Sequence, residues 1–364
     1  MKKIEIFFRN ILLWILLHTR KNANQVDPPV INKDSRILFV RLNRIGDALV
    51  TTPLLKSIKE QIGCRIYILA ASQNYFVFEN SNLSDEIIVY RKNVHGVRAL
   101  IGIINGLNCD VIVDLHDDVS TTVSYLIAYS NCRYKFGLKK KNYKLFTHVV
   151  EKRDPSRYHV VDRIMEFSKL FHLKSEEEKI NVVFQPKAIS IKAASEFLSN
   201  RFPVGKFLVG INISAGSEAR FWGIAKFRQL ISDLSPYNIN ILLLCSEKDL
   251  NSASQIAGNG LPIYYRPTFD EFCAVIPFLD FLITPDTSII HVASAFKIPM
   301  FGLYVHYNTN ELIWSPYKSE FECVLTREPT LKNISNEDVK RKLLPLFEKF
   351  YFNKEKYGSK YSGL

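Results

Sequence analysis

Short, continuous apolar runs alternate with longer segments of helical periodicity along most of this chain, and the pattern occurs twice. The first series lies between residues 36 and 115, and the second lies between residues 207 and 304. An apolar run without polar alternation predicts a strand buried on both faces, and helices between such strands predict a parallel sheet. A chain of 364 residues also exceeds what one compact core usually holds. The sequence therefore predicts an α/β protein with two domains.

The individual elements follow from the same pattern. The predicted strands of the first half are Arg36–Leu42, Arg65–Ala70, Glu86–Tyr90, Asp110–Leu115 and Tyr134–Gly137. Those of the second half are Phe207–Ile213, Asn240–Cys245, Pro262–Tyr265, Phe281–Thr284 and Pro299–Tyr304. The spacing of apolar residues predicts helices at Thr52–Ile62, Ala225–Leu234, Ile289–Phe296 and Ser335–Phe350.

These elements divide the chain into two Rossmann-like domains, which we expect at residues 35–185 and 205–330, facing each other across a cleft. Residues 331–364 form a C-terminal helix and tail. The alternation of predicted strands and helices is interrupted around residues 185–206, where we place the domain boundary. In open α/β sheets, ligands bind beyond the carboxyl ends of the strands. The loops that follow the strands are therefore where functional residues are expected.

Composition excludes several classes of protein. The six cysteines are scattered without C-x-x-C spacing, which argues against a zinc site or a disulfide framework and fits a reducing cytoplasm. The formal net charge of +12 favours an anionic partner, such as nucleic acid, anionic lipid or a phosphorylated substrate. The chain has no RNA-binding signature, and few aromatic residues alternate with its basic residues. Nucleic acid is therefore not expected.

Residues 1–30 form a separate amphipathic segment. The apolar run Ile11–Leu17 is shorter than the ~20 residues that span a bilayer, and no small-residue cleavage site follows it. Trp14 and the Phe7–Phe8 pair suit an interface. Basic residues flank the run at Lys2, Lys3, Arg9, Arg20 and Lys21. We predict a helix that lies on the cytoplasmic face of the membrane; the alternative is a helix that packs on its own domain.

Asp47 follows Gly46 at the entry of the helix after the first strand, in the run Arg41-Leu42-Asn43-Arg44-Ile45-Gly46-Asp47. One interpretation is an N-cap, which is a common position for aspartate. The other is a carboxylate directed into the cleft, where it takes a proton from an attacking hydroxyl group.

Two loops of the second half are suited to an anion. After strand Phe207–Ile213 comes a turn of small residues that includes Ser214, Gly216 and Ser217, and such a turn lets backbone N–H groups approach a phosphate. Arg220 follows it and can add a charge-assisted contact.

The second loop follows strand Phe281–Thr284. Here Asp286, Thr287 and Ser288 begin a helix that carries His291. A helix N-terminus suits a pyrophosphate, whereas plain capping is the alternative. A lone histidine at such a position is more often structural than catalytic.

A basic stretch lies between Arg133 and Arg163, where ten Lys and Arg residues stand against three Asp and Glu. The residues that we expect to bind an anionic acceptor are Lys139, Lys140, Lys141, Lys144 and Arg157. The alternative is a solvated face of the domain.

The run RILFVRLNRIGDALVTTPLLKSIK closely resembles the opening of glycosyltransferase family 9, the ADP-heptose–lipopolysaccharide heptosyltransferases. The resemblance extends from about Arg36 to about Tyr317. Asp286, Thr287 and His291 match the family's Asp-Thr-Gly-x-x-His signature, with Ser288 in place of the glycine. Arg220 stands where the family usually has lysine. Tyr304-Val305-His306-Tyr307 stands where the family tends to have Gly-Pro.

The resemblance implies a GT-B architecture and an inverting transfer from a nucleotide sugar, expected to be ADP-heptose. It implies that Asp47 is the catalytic base. The residues that it implies for binding the donor diphosphate are Ser214, Gly216, Ser217, Arg220, Asp286, Thr287, Ser288 and His291. It places Asp249 near the donor nucleoside, where a ribose contact and a surface role are both open. The implied acceptor is an anionic, lipid-linked lipopolysaccharide core at the inner face of the cytoplasmic membrane. No metal and no cofactor are expected.

Three alternatives remain open. The enzyme could use a different nucleotide sugar to build another surface glycan. The chain could also be a donor-binding assembly protein without catalysis. A nicotinamide-dependent dehydrogenase has a similar architecture, but no G-x-G-x-x-G sequence follows any predicted strand.

Overall fold

The computed structural model describes residues 2–19, 23, 26–92, 96–203 and 205–357, and within these ranges it describes side chains from residue 10 to residue 354. The chain consists of two compact units, Met1–Val183 and Phe184–Leu364. All six cysteines are buried free thiols. Within the described ranges, no helix combines the length and the apolar character needed to cross a membrane.

The first unit is built on one parallel sheet of six strands. The strands are β1 (Arg36–Arg41), β2 (Arg65–Ala71), β3 (Glu86–Tyr90), β4 (Val111–Asp114), β5 (Tyr134–Leu138) and β6 (His148–Val150). Their order is β3-β2-β1-β4-β5-β6, so the direction of winding reverses between β1 and β4. The helices are α1 (Lys2–Thr19), α2 (Ile45–Leu49), α3 (Thr52–Gln61), α4 (Val97–Gly106), α5 (Thr121–Tyr129) and α6 (Val160–Met165).

The second unit repeats this plan. Its strands are β7 (Phe207–Asn212), β8 (Ile239–Leu244), β9 (Ile263–Tyr264), β10 (Phe281–Pro285), β11 (Met300–Val305) and β12 (Phe321–Thr326), in the order β12-β11-β10-β7-β8-β9. All neighbouring strands are parallel. The helices are α7 (Ala188–Ser199), α8 (Ile224–Leu234), α9 (Leu250–Ala257), α10 (Phe269–Cys273), α11 (Ile289–Ala295) and α12 (Asn336–Tyr357).

Burial explains why the apolar runs become central strands. Ile37, Leu38, Phe39 and Val40 of β1 are all fully buried, because helices cover both faces of the sheet. In the second unit, Phe347 of α12 packs edge-on against the rings of Phe207 and Phe281, each at 5.6 Å between centroids. Helix α12 continues through Pro345.

The predicted pair of α/β domains is confirmed, but the sequence analysis named neither strands β6 and β12 nor helices α4, α5, α6, α7, α9 and α10. Strand β6 has only three residues, and the faces of β12 are partly exposed, so neither forms a continuous apolar run. Helix α7 lies inside the segment 185–206, where we expected the boundary. The first unit instead ends at Val183, and the second unit, which contains α7, begins at Phe184.

The predicted N-terminal helix is present as α1, and Leu16 of α1 is buried in the core of the first unit. Residues 20–22, with the predicted flanking cations Arg20 and Lys21, lie outside the described residues, as do residues 358–364 of the predicted tail. The side chains of Lys2, Lys3, Arg9 and the Phe7–Phe8 pair are likewise not described.

Candidate active site

Arg41 and Asp47 are joined where β1 passes into α2. Arg41 ends β1 with a buried side chain, and its Nε donates to the Asp47 backbone oxygen at 2.9 Å. Its Nη2 donates to Asp47 Oδ1 at 3.2 Å, and its Nη1 donates to the backbone oxygen of Leu115 after β4. Asn43 Nδ2 also donates to Asp47 Oδ1, at 3.4 Å. One buried guanidinium therefore connects two strand ends to the Asp47 carboxylate.

This geometry excludes one of the two interpretations of Asp47. The N-cap of α2 is Arg44, and Asp47 lies within the first turn of the helix. The N-cap interpretation is therefore wrong, because the carboxylate contacts Arg41 and Asn43 instead of the backbone N–H groups of the helix. Burial lowers the pKa of Arg41, although the negative charges of Asp47, Asp117 and Asp114 oppose this effect.

A second buried network lies at the end of β4. The Asp114 carboxylate contacts His116 Nδ1 at 2.7 Å and accepts from Lys140 Nζ at 2.8 Å. The backbone N–H of Leu42 donates to His116 Nε2 at 3.1 Å, which assigns the ring proton to Nδ1. Lys140 Nζ also donates to the His116 backbone oxygen at 2.6 Å. The three side chains therefore form one hydrogen-bonded group beside β1.

The charges in this network follow from burial and pairing. Burial by itself would raise the pKa of Asp114, but the Lys140 ammonium and the His116 contact hold it well below its usual range. Burial lowers the pKa of His116, although Asp114 opposes this effect. At neutral pH the network therefore contains a carboxylate, an ammonium and a neutral imidazole.

The sequence analysis missed Arg41, Asp114 and His116. Strands β1 and β4 are neighbours at the switch point of the sheet, where doubly wound proteins bind their ligands. The available signal was the polar run Asp114-Leu115-His116-Asp117-Asp118, which follows an apolar strand directly.

The structure separates the five basic residues that we predicted to bind the acceptor. Lys140 is buried against Asp114, with 5% of its side chain exposed. Lys139 is exposed and pairs with Glu151 at 2.6 Å, and Arg157 is exposed near Asp154 at 3.7 Å. Lys141 and Lys144 are exposed. Lys140 is therefore part of the interior, whereas the other four lie at the surface.

In the second unit, polar side chains join the loops after β7 and β10. Asn212 ends β7, and its Nδ2 donates to Thr284 Oγ1 of β10 at 2.9 Å and to the Ser214 backbone oxygen at 3.2 Å. The Ser214 backbone N–H donates to Asn212 Oδ1 at 3.1 Å. The two loops that we expected to bind the donor thus lie at adjacent strand ends, at the switch point of the second sheet.

Asp249 joins the loops after β7 and β8. Its Oδ2 accepts from the Ser214 hydroxyl at 2.5 Å and from the Ser246 hydroxyl at 2.7 Å. Lys248 Nζ donates to the backbone oxygen of Ala215 at 2.7 Å. In this structure, Asp249 therefore fixes the position of the small-residue turn, and the turn itself is exposed at Gly216 and Ser217.

Arg220 and Asp286 connect the two candidate donor loops. Arg220 Nη1 lies 3.3 Å from Asp286 Oδ2 and donates to the Asp286 backbone oxygen at 3.2 Å. Both side chains remain partly exposed, at 35% and 25%. A partly exposed guanidinium beside a turn of small residues is suited to an anionic ligand.

Helix α11 begins just after Thr287 and Ser288. Ser288 is its N-cap residue, but the Ser288 side chain makes no capping hydrogen bond. Thr287 Oγ1 accepts from the Ile289 backbone N–H at a long 3.4 Å. His291 is buried, and its ring centroid lies 6.0 Å from that of Trp314. The start of α11 is therefore weakly capped by side chains.

Known structures share this fold. Glycosyl transferase family 9 from Veillonella parvula DSM 2008 matches with a TM-score of 0.75 at 18% identity, covering 88% of this chain and 99% of that one. Escherichia coli heptosyltransferase WaaC with ADP matches with a TM-score of 0.67 at 17% identity, covering 87% and 99%. Two doubly wound units of this kind define the GT-B class of glycosyltransferases.

The sequence comparison narrows the class. Residues 97–344 match glycosyltransferase family 9 (heptosyltransferase), and the chain belongs to that family. Lipopolysaccharide core heptosyltransferase OpsX of Haemophilus influenzae is 20% identical over 297 residues, which cover 78% of this chain and 82% of OpsX. The predicted family is thus confirmed, and the protein is a glycosyl-transfer enzyme. The family match begins after Asp47, so the role of that residue stays a prediction.

Proposed function

We propose that this enzyme transfers a sugar with inversion from a nucleotide-sugar donor to an anionic, lipid-linked oligosaccharide. The donor is ADP-heptose, and the acceptor is the core of lipopolysaccharide. The observation that carries the proposal is the Asp47 carboxylate, held by the buried Arg41 at the switch point of the first sheet. The names of the relatives support the choice of donor and acceptor, since they include a lipopolysaccharide core heptosyltransferase and a heptosyltransferase with ADP.

In the first step, Asp47 removes the proton from the attacking acceptor hydroxyl. Arg41 and Asn43 both contact Oδ1, so we assign the proton to Oδ2. Arg41 keeps the carboxylate in one orientation, and orientation of a base is worth a large part of its effect. The hydroxyl oxygen then forms a bond to the anomeric carbon as the bond to the diphosphate breaks.

The second unit stabilises the leaving diphosphate. Arg220, the backbone N–H groups of residues 214–217 and the start of α11 at Thr287 and Ser288 offer positive charge and donors to the phosphate oxygens. Asp286 holds Arg220 in place before the donor arrives. Asp249 holds the small-residue turn through the Ser214 hydroxyl, and we assign His291 of α11 to the same donor site. We propose that this chemistry needs no metal ion.

The acceptor contacts fall on the exposed cations Lys139, Lys141, Lys144 and Arg157. Lys140 supports the site through Asp114 rather than through the acceptor. A phosphorylated or carboxylated core sugar supplies the matching negative charge. The acceptor is lipid-linked, so we place the protein at the inner face of the cytoplasmic membrane.

A second candidate is a transferase that uses another nucleotide sugar for another surface glycan. Three departures from the family pattern favour this candidate. Arg220 stands in place of a lysine, Ser288 stands in place of a glycine, and Tyr304–Tyr307 stand in place of the Gly-Pro loop. Arginine presents a planar fork where lysine presents a point charge, so the phosphate geometry differs.

Two measurements test the proposal. Calorimetric titration with ADP, UDP, GDP and CDP should give the tightest binding for ADP; tighter binding of another diphosphate would support the second candidate. A transfer assay with extracted core lipid and ADP-heptose should then show turnover by the wild type and none by Asp47→Asn, with donor affinity unchanged. Turnover by Asp47→Asn near the wild-type rate would remove Asp47 from the mechanism.

A further inference from the structure

Helix α1 has two apolar faces that serve different purposes. Its inward face contributes Leu16, which is 1% exposed, and Leu17, which packs against the same core. Its outward face carries Ile11, Trp14 and Ile15, which are 37%, 60% and 41% exposed. The inward face accounts for the packing of the helix on its own domain, but it leaves the outward residues without a role in the fold.

The outward residues form one continuous stripe. Ile11, Trp14, Ile15 and His18 have the spacing i, i+3, i+4 and i+7, which places them on one side of a helix. The Trp14 and His18 rings lie 4.2 Å apart between centroids, and His18 Nδ1 contacts the Trp14 backbone oxygen at 2.8 Å. The exposed indole is therefore held in place along the stripe.

The stripe is fixed to the body of the first unit. The hydroxyl of Tyr125 in α5 donates to the Leu12 backbone oxygen at 3.2 Å. The ring of Tyr125 stacks on Tyr129, which is exposed, at 6.0 Å between centroids and 6° between planes. Four residues beyond the last residue of α1, the Ala23 backbone N–H donates to the backbone oxygen of Lys144 at 3.0 Å. The apolar stripe thus has an aromatic neighbour, and the chain pairs with a basic residue shortly after the stripe ends.

We propose that this surface, made of Ile11, Trp14, Ile15, Tyr129 and Lys144, docks the first unit on an anionic lipid surface. Tryptophan and tyrosine are the side chains that sit at lipid headgroups, and basic residues beside them attract anionic lipid. The formal net charge of +12 complements such a surface and opposes the approach of a second copy of this chain. The docking itself does not depend on the proposed function. Only the purpose of the docking rests on it, which is to bring the predicted acceptor-binding cations to a lipid-linked substrate.

The docking itself is tested by flotation of the full chain with vesicles, which requires no turnover. The wild type should float with vesicles of phosphatidylcholine and phosphatidylglycerol, and less with phosphatidylcholine alone or at high salt. Trp14→Ser combined with Ile15→Ser should lower the partition coefficient by about tenfold or more, since each side chain loses most of its apolar transfer energy. The matched control is Ile189→Ser, an exposed isoleucine of α7 in the second unit, which should float as the wild type does.

A second measurement uses tryptophan emission. Brominated lipid should quench the emission of the wild type, and Trp14→Ser should lose most of that quenching, because Trp222 is buried and Trp314 belongs to the second unit. The proposal is overturned if the double variant floats as well as the wild type, or if the wild type fails to float with anionic vesicles. It is also overturned if the stripe forms a dimer in sedimentation velocity that Trp14→Ser abolishes while vesicle binding stays unchanged.

Activity separates this inference from the proposed function. With acceptor dissolved in detergent, the double variant should keep the wild-type kcat, and with acceptor in vesicles its kcat/KM should fall in proportion to its binding. Loss of flotation without any transfer by either protein would leave the docking surface supported and the proposed function contradicted. Equal kcat/KM on vesicles would contradict the purpose given to the surface.

Discussion

Arg41 and Asp47 contact each other at two points, since the guanidinium of Arg41 donates to both the backbone oxygen and the carboxylate of Asp47. The same guanidinium reaches Leu115 beyond β4. Three segments of the chain therefore meet at one buried cation, and the carboxylate that we propose as the base takes its orientation from it.

Arg41→Lys should reduce kcat by about 100-fold while donor affinity stays unchanged. Lysine keeps the positive charge but cannot span the backbone oxygen, the carboxylate and Leu115 together, and misplacement of a base by about 1 Å costs roughly this factor. Steady-state kinetics and calorimetric titration with ADP measure the two quantities. The pH profile of kcat should shift in the variant, which a purely structural role would leave in place. Arg36→Lys, at the other end of β1, is the control and should keep the wild-type kcat.

Arg220→Ala should weaken the binding of a nucleoside diphosphate by about 10- to 150-fold, because it removes a charge-assisted hydrogen bond worth roughly 1.5–3 kcal/mol. Calorimetric titration measures the dissociation constant. Arg228→Ala is a matched control in the same unit, since Arg228 lies on α8 and donates to the Gln255 backbone oxygen. Equal affinity in Arg220→Ala and in the wild type would exclude Arg220 from the donor site.

Lys140→Ala should destabilise the protein by about 3 kcal/mol, because it leaves the fully buried Asp114 carboxylate without its ion-pair partner. Lys139→Ala should leave the stability close to that of the wild type, because its pair with Glu151 is exposed to solvent. Chemical denaturation compares these neighbouring lysines. Similar losses in both variants would contradict the assignment of Lys140 to the interior.

Acidification should destabilise the first unit, in part through His116. The pKa of His116 is lowered in the folded state, so below about pH 6.5 the unfolded chain binds the proton and the folded chain does not. The free energy of unfolding should therefore decrease as the pH is lowered, by up to about 1.4 kcal/mol per pH unit for this one group. The lowered pKa of Asp114 acts in the same direction below about pH 4.

The measurement is the apparent melting temperature between neutral pH and pH 5, compared with that of His116→Gln. Glutamine does not titrate, so the variant should lose less melting temperature over this interval than the wild type does. Equal slopes for the two proteins would show that His116 titrates normally.

Gly302→Ala should destabilise the second unit by about 1–3 kcal/mol. A Cβ at Gly302 would lie 2.3 Å from a ring carbon of Tyr304, and the Tyr304 ring is buried and cannot move aside. Gly260→Ala is the control, since no atom lies within 4 Å of its added Cβ. Thermal unfolding distinguishes the two, and an unchanged melting temperature in Gly302→Ala would show that the Tyr304 ring can repack.

The sequence pattern predicted the central strands better than it predicted the edges of the sheets. Residues of β1 and β7 are apolar on both faces, because helices cover both sides of a doubly wound sheet, and such runs stand out in a sequence. Strand β6 is three residues long and β12 is partly exposed. Neither is a long strand buried on both faces, so neither produces a continuous apolar run in the sequence. The family motifs at Asp47 and Asp286 were readable for a similar reason, because each lies in the segment that follows an apolar strand.

The sequence by itself determined the two α/β units, the family and the segments in which we predict the functional residues. Only the tertiary structure decided what those residues contact. It placed Lys140 inside, against Asp114, while its neighbour Lys139 remained at the surface. It also paired Arg41 with Asp47 and Arg220 with Asp286. The physical reason is that strand periodicity depends on local burial, whereas a buried charge is stable only beside a partner that the fold brings from elsewhere in the chain.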